Sequence, residues 1–169
     1  MPEFIPIPSA VVADTVYVND VLCARDVAVT LPEVTAITAE VPAMGTMAIP
    51  IWQLIENLEL AITKIGLDTG LRAMIKPDMG PIEIRGVQPV TLANGTTKNV
   101  GFKVFCRGIP TKIPGISLTV GEASENECTF MLSRYNLFVD GEEMFLIDRL
   151  AGIVRIAGTD YTTEITSML

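Results

Sequence analysis

Alternation of apolar and polar residues runs through most of the chain and predicts β-strands. Residues 26–31 alternate before Pro32 interrupts the pattern, and residues 82–85 alternate again. Two longer runs place apolar residues on a single face. In the first run these are Val100, Phe102, Val104 and Cys106, while Lys103, Phe105 and Arg107 occupy the other face. In the second run they are Cys128, Phe130 and Leu132. Because such a strand has one face in the core and one in solvent, the sequence predicts a mainly β protein.

Three tight-turn dipeptides join these runs into hairpins: Asn19-Asp20, Asn94-Gly95 and Asp140-Gly141. Asn, Asp and Gly tolerate the left-handed backbone that a two-residue connection between antiparallel strands requires. The first joins residues 15–18 to 21–23, and the last leads into residues 144–147.

One stretch has helical spacing. Its apolar stripe lies at positions i, i+4, i+7 and i+8 and consists of Leu67, Leu71, Met74 and Ile75. Asp68 or Thr69 is placed to cap the helix N-terminus with a side-chain oxygen, and Pro77 ends the pattern. The sequence therefore predicts a helix over residues 67–76.

Residues 51–65 fit two structures. A helical stripe is formed by Ile51, Ile55, Leu58, Ile62 and Ile65. Leu58, Leu60 and Ile62 also alternate with polar or small residues, which fits a strand. Periodicity alone favours the helix, and both alternatives stay open at this point.

Two long segments separate the predicted elements. Residues 35–50 are poor in charge and centre on Met44-Gly45-Thr46-Met47, which suggests an arm that packs on a neighbouring subunit. Residues 111–125 contain Pro114, Gly115 and Gly121 and lead into an acidic run, Glu122, Glu125 and Glu127. Loops longer than about 12 residues are usually functional or disordered, and the first segment is too apolar for a disordered tail.

Composition adds a surplus of apolar residues. The chain has 169 residues, which predicts a single domain over residues 1–169, with 49 % hydrophobic and only 19 % charged residues. Its mean hydropathy is +0.44. The longest apolar stretch, residues 41–52, is interrupted by Pro and Gly and falls short of the about 20 residues that a spanning helix needs, so we expect no membrane insertion. The surplus indicates contact surface between subunits, or else a well-filled core.

Charge and residue types argue against catalysis, metal binding and nucleic-acid binding. The chain has no histidine and a net charge of −8. Missing histidine excludes the commonest general base and metal ligand, and the acidity argues against binding along nucleic-acid phosphates. Glu142-Glu143 follows a turn and is interpreted as solvated, and no phosphate-binding Gly-rich loop occurs. We predict no enzyme activity, no cofactor and no metal, with Cys23, Cys106 and Cys128 as buried, reduced thiols and folding in the cytoplasm.

Residues 133–161, SRYNLFVDGEEMFLIDRLAGIVRIAGTDY, resemble the C-terminal third of the major tail tube proteins of contractile-tailed bacteriophages, which R-type tailocins share. The motif positions are Tyr135, Leu137, Asp140, Gly141, Glu143, Ile147, Asp148, Gly158 and Asp160. Residues 16–19, 29–34 and 105–108 resemble further family segments in the same order. The chain departs from the pattern at Asn19-Asp20, where Asn-Gly is common.

The resemblance implies a fold. It is a small β-barrel or sandwich with one flanking α-helix and an extended β-hairpin arm, similar to the type VI secretion tube protein. Residues 35–50 then become the arm, whose interface residues would be Pro42, Ala43, Met44, Gly45, Thr46, Met47, Ile49 and Pro50. Residues 58–65 become a strand, after a short helical turn at residues 53–56.

The resemblance also implies a function in architecture. Six copies would form a ring, and rings would stack into a hollow tube inside a contractile sheath, as a conduit for DNA or as a membrane-piercing needle. Implied partners are other copies of the chain, the sheath protein, and tape measure and baseplate or initiator proteins, with DNA passing unbound. The location would be a virion tail or tailocin particle assembled in the host cytoplasm.

Some alternatives remain open. The acidic run Glu122, Glu125 and Glu127 could line the lumen or lie between rings. A secretion tube of type VI character would use the same architecture. A monomeric β-barrel that binds a small apolar ligand is the alternative from another functional class.

Overall fold

A computed structural model describes residues 5–78 and 80–169. The strands are β1 (Ile7–Pro8), β2 (Ala13–Val18), β3 (Val21–Arg25), β4 (Ala28–Thr30), β5 (Ala36–Pro42), β6 (Thr46–Ile55), β7 (Glu59–Ile65), β8 (Gly80–Thr91), β9 (Thr97–Lys112), β10 (Glu125–Val139), β11 (Glu142–Asp148), β12 (Ile153–Ile156) and β13 (Thr159–Asp160). The helices are α1 (Thr69–Met74) and α2 (Thr163–Met168). The mainly β prediction is confirmed.

Three long antiparallel strands, β8, β9 and β10, form the centre of the main sheet. The hairpin β2–β3 continues the sheet beyond β8, and β1 pairs with the last residues of β8. On the other side, β11, β12 and β13 follow β10 in order. All these pairings are antiparallel, so short connections suffice between neighbours.

Strand β10 shares its second edge between two partners. Residues Glu125–Met131 pair with β7, which in turn pairs with β4, whereas residues Arg134–Val139 pair with β11. A register shift between Leu132 and Arg134 separates the two halves, as expected where a bulge bends a strand. The body is therefore sandwich-like, and within the described ranges the strands do not close into a barrel.

The core lies on the inner face of these strands. It is built around side chains at most 2 % exposed: Ile82, Ile84, Val104, Cys106, Cys128, Phe130, Leu132 and Tyr135. The predicted row on β10 is thus buried in full. In the predicted β9 row, Val104 and Cys106 are buried, while Val100 and Phe102, nearer the start of the strand, are half-buried.

The predicted turns are confirmed. Asn19 and Asp20 have φ values of 51° and 63°, and Asp140 and Gly141 have 51° and 81°. Both residues of each pair are left-handed, which is the geometry that matches the twist of a hairpin. Gly95 is also left-handed, with φ 79°, in a longer loop closed by a hydrogen bond from Leu92 N to Thr96 O at 2.8 Å.

Residues 51–65 are strand on both sides of a short connection. Strand β6 continues to Ile55 and β7 begins at Glu59, so the helical period was misleading and the expected helical turn at residues 53–56 is wrong. The physical reason is pairing. Strand β7 lies between β10 and β4, where ladders satisfy both of its edges while Leu60 and Ile62 are fully buried.

Helix α1 is shorter than predicted. Asp68 caps its N-terminus by accepting a hydrogen bond from Leu71 N at 3.0 Å, as the sequence allowed. Leu67 lies before the helix and is exposed, and Ile75 is the C-cap, so only Leu71 and Met74 of the predicted stripe lie within the helix. Helix α2 was not predicted, although Tyr161, Ile165, Met168 and Leu169 lie at helical spacing.

A buried lysine joins β7, β3 and the start of α1. Lys64 Nζ, on β7, donates to the carbonyl oxygen of Cys23 on β3 at 2.6 Å. It also pairs with Asp68 Oδ2 at 2.9 Å, next to α1. Only 8 % of the Lys64 side chain is exposed, and such a charge is tolerated inside a protein when it is paired and hydrogen-bonded.

Gly70 brings α1 against this lysine site. A Cβ atom built on Gly70 would lie 2.1 Å from the carbonyl oxygen of Cys23. The obstacle is backbone, so it cannot rotate away as a side chain would. Close contact between α1 and β3 thus requires glycine at this position.

We expect Gly70→Ala to destabilise the fold by about 1–3 kcal/mol, because the added methyl group overpacks the contact with Cys23. Helix propensity alone predicts the opposite sign, since Ala is favoured over Gly by about 1 kcal/mol. Urea unfolding measures the change. Gly115→Ala is the matched control, since its Cβ would meet nothing within 4 Å. A Gly70→Ala variant more stable than the natural protein would contradict the packing argument.

We also expect Asp68→Asn to have a pH-dependent cost. The hydrogen bond from Lys64 is the largest of the effects that hold the pKa of Asp68 below its ordinary value. A lowered folded-state pKa stabilises the fold above the usual carboxyl pKa of about 4, and this contribution disappears as pH falls through the folded-state value. The natural protein should therefore melt higher than the variant near neutral pH, and the two should converge in acid. Asp78→Asn, in an exposed pair with Lys76, serves as the control. A constant difference at all pH values would refute the assignment.

Candidate functional site

The predicted arm is a hairpin that stands apart from the main sheet. Strands β5 and β6 pair only with each other among the described residues. The tip is the connection Ala43-Met44-Gly45, where Met44 and Gly45 have φ values of 51° and 120°. The hairpin extends to Ile55, five residues beyond the predicted end of the arm at residue 50.

The surface of the arm is almost uncharged and apolar. Between residues 36 and 55 the only charged side chain is Glu40. Its exposed large apolar residues are Ile37, Val41, Met44, Met47, Ile49, Trp52 and Leu54. The eight residues predicted for the interface, Pro42, Ala43, Met44, Gly45, Thr46, Met47, Ile49 and Pro50, are all exposed in the single chain. An isolated two-stranded hairpin is marginally stable in water, so this arm is the strongest candidate for a contact surface.

The acidic run is split between a loop and a strand. Glu122 lies in the connection between β9 and β10, where its N–H bonds to Thr119 O at 3.2 Å. Glu125 and Glu127 lie on β10 and share its exposed face. Glu127 Oε1 is 3.7 Å from Lys112 Nζ, whereas Glu122 and Glu125 form no ion pair with any described residue. The structure brings two of the three carboxylates together and leaves the third nearer the loop tip.

The motif residues around Tyr135 support the fold. Tyr135 is 2 % exposed and packs edge-to-face on Phe145, with ring centroids 4.7 Å apart. Burial raises the pKa of its phenol, so it stays neutral. Asp140 and Gly141 form the β10–β11 turn, and Asp140 Oδ2 lies 3.6 Å from Lys98 Nζ.

The later motif residues also shape the backbone. Asp148 Oδ1 accepts hydrogen bonds from Leu150 N and Ala151 N at 3.1 and 3.0 Å and so fixes the turn after β11. Gly158 has φ 81° in the β12–β13 turn. Asp160 accepts from the backbone N–H and the hydroxyl of Thr162, which hold the pKa of its carboxyl below the ordinary value. These aspartates act as turn and cap residues.

An open groove lies on the outer face of the main sheet. We name it the Phe105 groove, and it comprises Arg85, Val87, Lys103, Phe105 and Phe138 in a space of about 560 Å³. Phe105 and Phe138 pack edge-to-face with ring centroids 5.8 Å apart. The sequence placed Lys103 and Phe105 on the solvent side of β9 but gave no sign of the groove, because Phe138 comes from a different strand.

The β9–β10 loop, residues 113–124, exposes apolar residues that the sequence prediction did not include. Besides its glycines and acids it exposes four large apolar residues: Ile113, Ile116, Leu118 and Val120. The signal that could have found them is their spacing, since the last three alternate with small or polar residues. The loop is therefore a second apolar surface besides the arm.

Comparison with known proteins decides the family. A model of the family described as phage tail tube protein FII matches residues 8–169. The chain belongs to this family. It is accordingly a structural subunit of a contractile tail tube, which bears out the resemblance drawn from residues 133–161.

Solved structures share the fold of this tail tube protein. The chain is similar to a chain of the PVC sheath–tube complex of an extracellular contractile injection system in the extended state, with TM-score 0.51, 18 % identity and coverage of 74 % of this chain and 87 % of the other. It is also similar to a chain of the PVC sheath/tube terminator, with TM-score 0.53, 17 % identity and coverage of 78 % and 96 %. It is similar as well to the tube-terminating cap of the anti-feeding prophage, with TM-score 0.52, 17 % identity and coverage of 82 % of this chain and 94 % of the other. A search of curated proteins returned no match.

The tail tube protein has few groups suited to chemistry. No cluster of three or more Asp, Glu or Cys side chains that could hold a metal ion occurs in the described ranges. Its three cysteines are free and buried, and burial raises the pKa of Cys106 to about 12, which disfavours the reactive thiolate. Neither six-residue helix is long enough to cross a bilayer. The exposed apolar surfaces among the described residues include the arm, the β9–β10 loop and the Phe105 groove.

Proposed function

We propose that this tail tube protein assembles into rings of six that stack into a hollow tube, with the β5–β6 arm reaching into neighbouring subunits. The observation that carries the proposal is the exposed arm, which has one charged residue and seven exposed large apolar ones. Complete burial of a large apolar side chain contributes about 1.5–3 kcal/mol, and each arm residue would gain the share that corresponds to its exposed surface. Contact with other copies is the way for the arm to gain that stabilisation.

In the proposed tube, the arm of one subunit contacts a surface of its neighbour other than the neighbour's own arm. Such heterologous contacts repeat from copy to copy, closing a ring or continuing a filament according to the rotation between subunits. The number six comes from the resemblance to the family.

The proposed partners follow from the tube. The sheath is supported by relatives solved as a sheath–tube complex and a sheath/tube terminator. Tape measure and baseplate or initiator proteins complete the set, with the particle tail as location and host cytoplasm as site of assembly. No catalytic step is assigned to the chain.

Charge suits passage of DNA through such a tube. Six copies of net charge −8 carry −48 together. If part of that charge faces the bore, phosphates are repelled and DNA slides without binding. A needle that pierces a membrane or a secretion tube uses the same architecture. Images that show whether the tube of the native particle contains nucleic acid distinguish a DNA conduit from a needle or a secretion tube.

A monomeric carrier of apolar ligands lacks support, since the described strands do not close around a cavity.

Deleting residues 43–48 tests the arm. Ala39 pairs with Ile49, so the deletion leaves residues 40–42 as a three-residue connection and shortens the hairpin without breaking its base. We expect the natural protein to give rings and rods in negative-stain images. The deletion variant should remain folded by circular dichroism and give no rods.

Leu150→Ser is the matched control, because Leu150 is 79 % exposed outside the arm. It should assemble as the natural protein does. Rods from the deletion variant would remove the arm from the proposal, and a natural protein that stays monomeric at all concentrations would defeat the proposal itself.

A further inference from the structure

The β9–β10 loop has the pattern of a strand but no partner strand. Ile116, Leu118 and Val120 alternate with Ser117, Thr119 and Gly121, yet residues 113–119 form no regular secondary structure in the single chain. The three apolar side chains are 45 %, 75 % and 104 % exposed. Such alternation is typical of a segment that covers an apolar surface on one side.

Negative charge follows directly on this apolar face. Glu122 comes two residues after Val120, and Glu125 begins β10. In the described ranges neither carboxylate has an ion-pair partner, although Glu127 is paired with Lys112. The loop thus offers an apolar row that ends in unpaired acids.

The Phe105 groove offers the complementary features. Its apolar surface is formed by Val87, Phe105 and Phe138. Lys103 lies beside it, exposed and without an ion pair to any described residue. Arg85 is the second cation, held in place by Glu83 and by the ring of Tyr17, whose centroid is 5.0 Å away.

The groove lies near the middle of β9, and the loop lies at its C-terminal end. Lys103 is in the groove, and the loop leaves the strand after Lys112. Nine residues of strand at about 3.3 Å each separate them by about 30 Å. Because the loop returns directly to β10 at its own end of the sheet, it does not fill the groove of its own chain. A second copy displaced along the strand direction can.

We propose that the β9–β10 loop of one copy docks into the Phe105 groove of the next, with Ile116, Leu118 and Val120 over the aromatic surface and Glu122 facing Lys103. This deepens the proposed function, on which it rests, by naming two surfaces for a head-to-tail contact in the tube. It assigns the acidic loop to a contact between copies. Since the two surfaces differ, the contact repeats along an assembly.

Charge reversal tests the pairing. Glu122→Lys and Lys103→Glu should each raise the protein concentration needed for rods about tenfold or more, as loss of one charged contact does. Mixing the two variants in equal amounts should restore assembly, because each reversed loop then meets a reversed groove and each natural loop meets a natural groove. Pelleting and negative-stain images measure both effects. Arg72→Glu, an exposed cation on α1 outside both surfaces, is the control and should assemble normally.

Removing the apolar row gives a second test. The double variant Leu118→Ser with Val120→Ser should fold normally and lose rods, whereas Leu150→Ser should not. The pairing would be overturned if the double variant formed rods, or if both charge variants formed rods at the concentration that the natural protein needs. It would also be overturned if the mixture failed to recover assembly. None of these results would contradict the tube itself. Absence of rods in the natural protein would instead overturn the proposed function.

Discussion

The proposed assembly depends on one constraint: a two-stranded hairpin cannot cover its own apolar side chains. Strands β5 and β6 have no further strand beside them in the described ranges, and their single charge is Glu40. Pro42 and Pro50 lie within the hairpin strands and donate no N–H, which limits random pairing at strand edges. The arm thus combines a strong tendency to be buried with protection against unspecific β-sheet growth, as a tube subunit requires.

The arm is anchored in the core by Ile55 at the end of β6, and the core body is in turn held together by contacts between its elements. Lys64 connects β7 to β3 and to the cap of α1 through hydrogen bonds to Cys23 O and Asp68. The family-motif aspartates play a similar structural role at turns and caps, since Asp148 and Asp160 bind backbone N–H groups. The motif residues are therefore mostly those that hold the backbone, and the surfaces proposed to assemble lie elsewhere.

Local features of the sequence predicted local structure well. Alternation gave the buried row of β10, and Asn19-Asp20 and Asp140-Gly141 formed the expected turns. The helical periodicity of residues 51–65 predicted the wrong structure, because a strand paired on both edges buries positions that also fit a helical stripe. The burial of Lys64 depends on Cys23, which is 41 residues away in the chain, and the Phe105 groove depends on three strands. Contacts of that range leave no signature in a window of neighbouring residues.

Fluorescence of Trp52, the only tryptophan, tests the central claim most directly. It lies on the arm strand β6 and is 39 % exposed in the single chain. If the arm is buried against other copies, the emission maximum shifts to shorter wavelength in step with rod formation across a concentration series. Rods that form while the emission stays at its monomer position would show that the arm remains in water and would contradict the account.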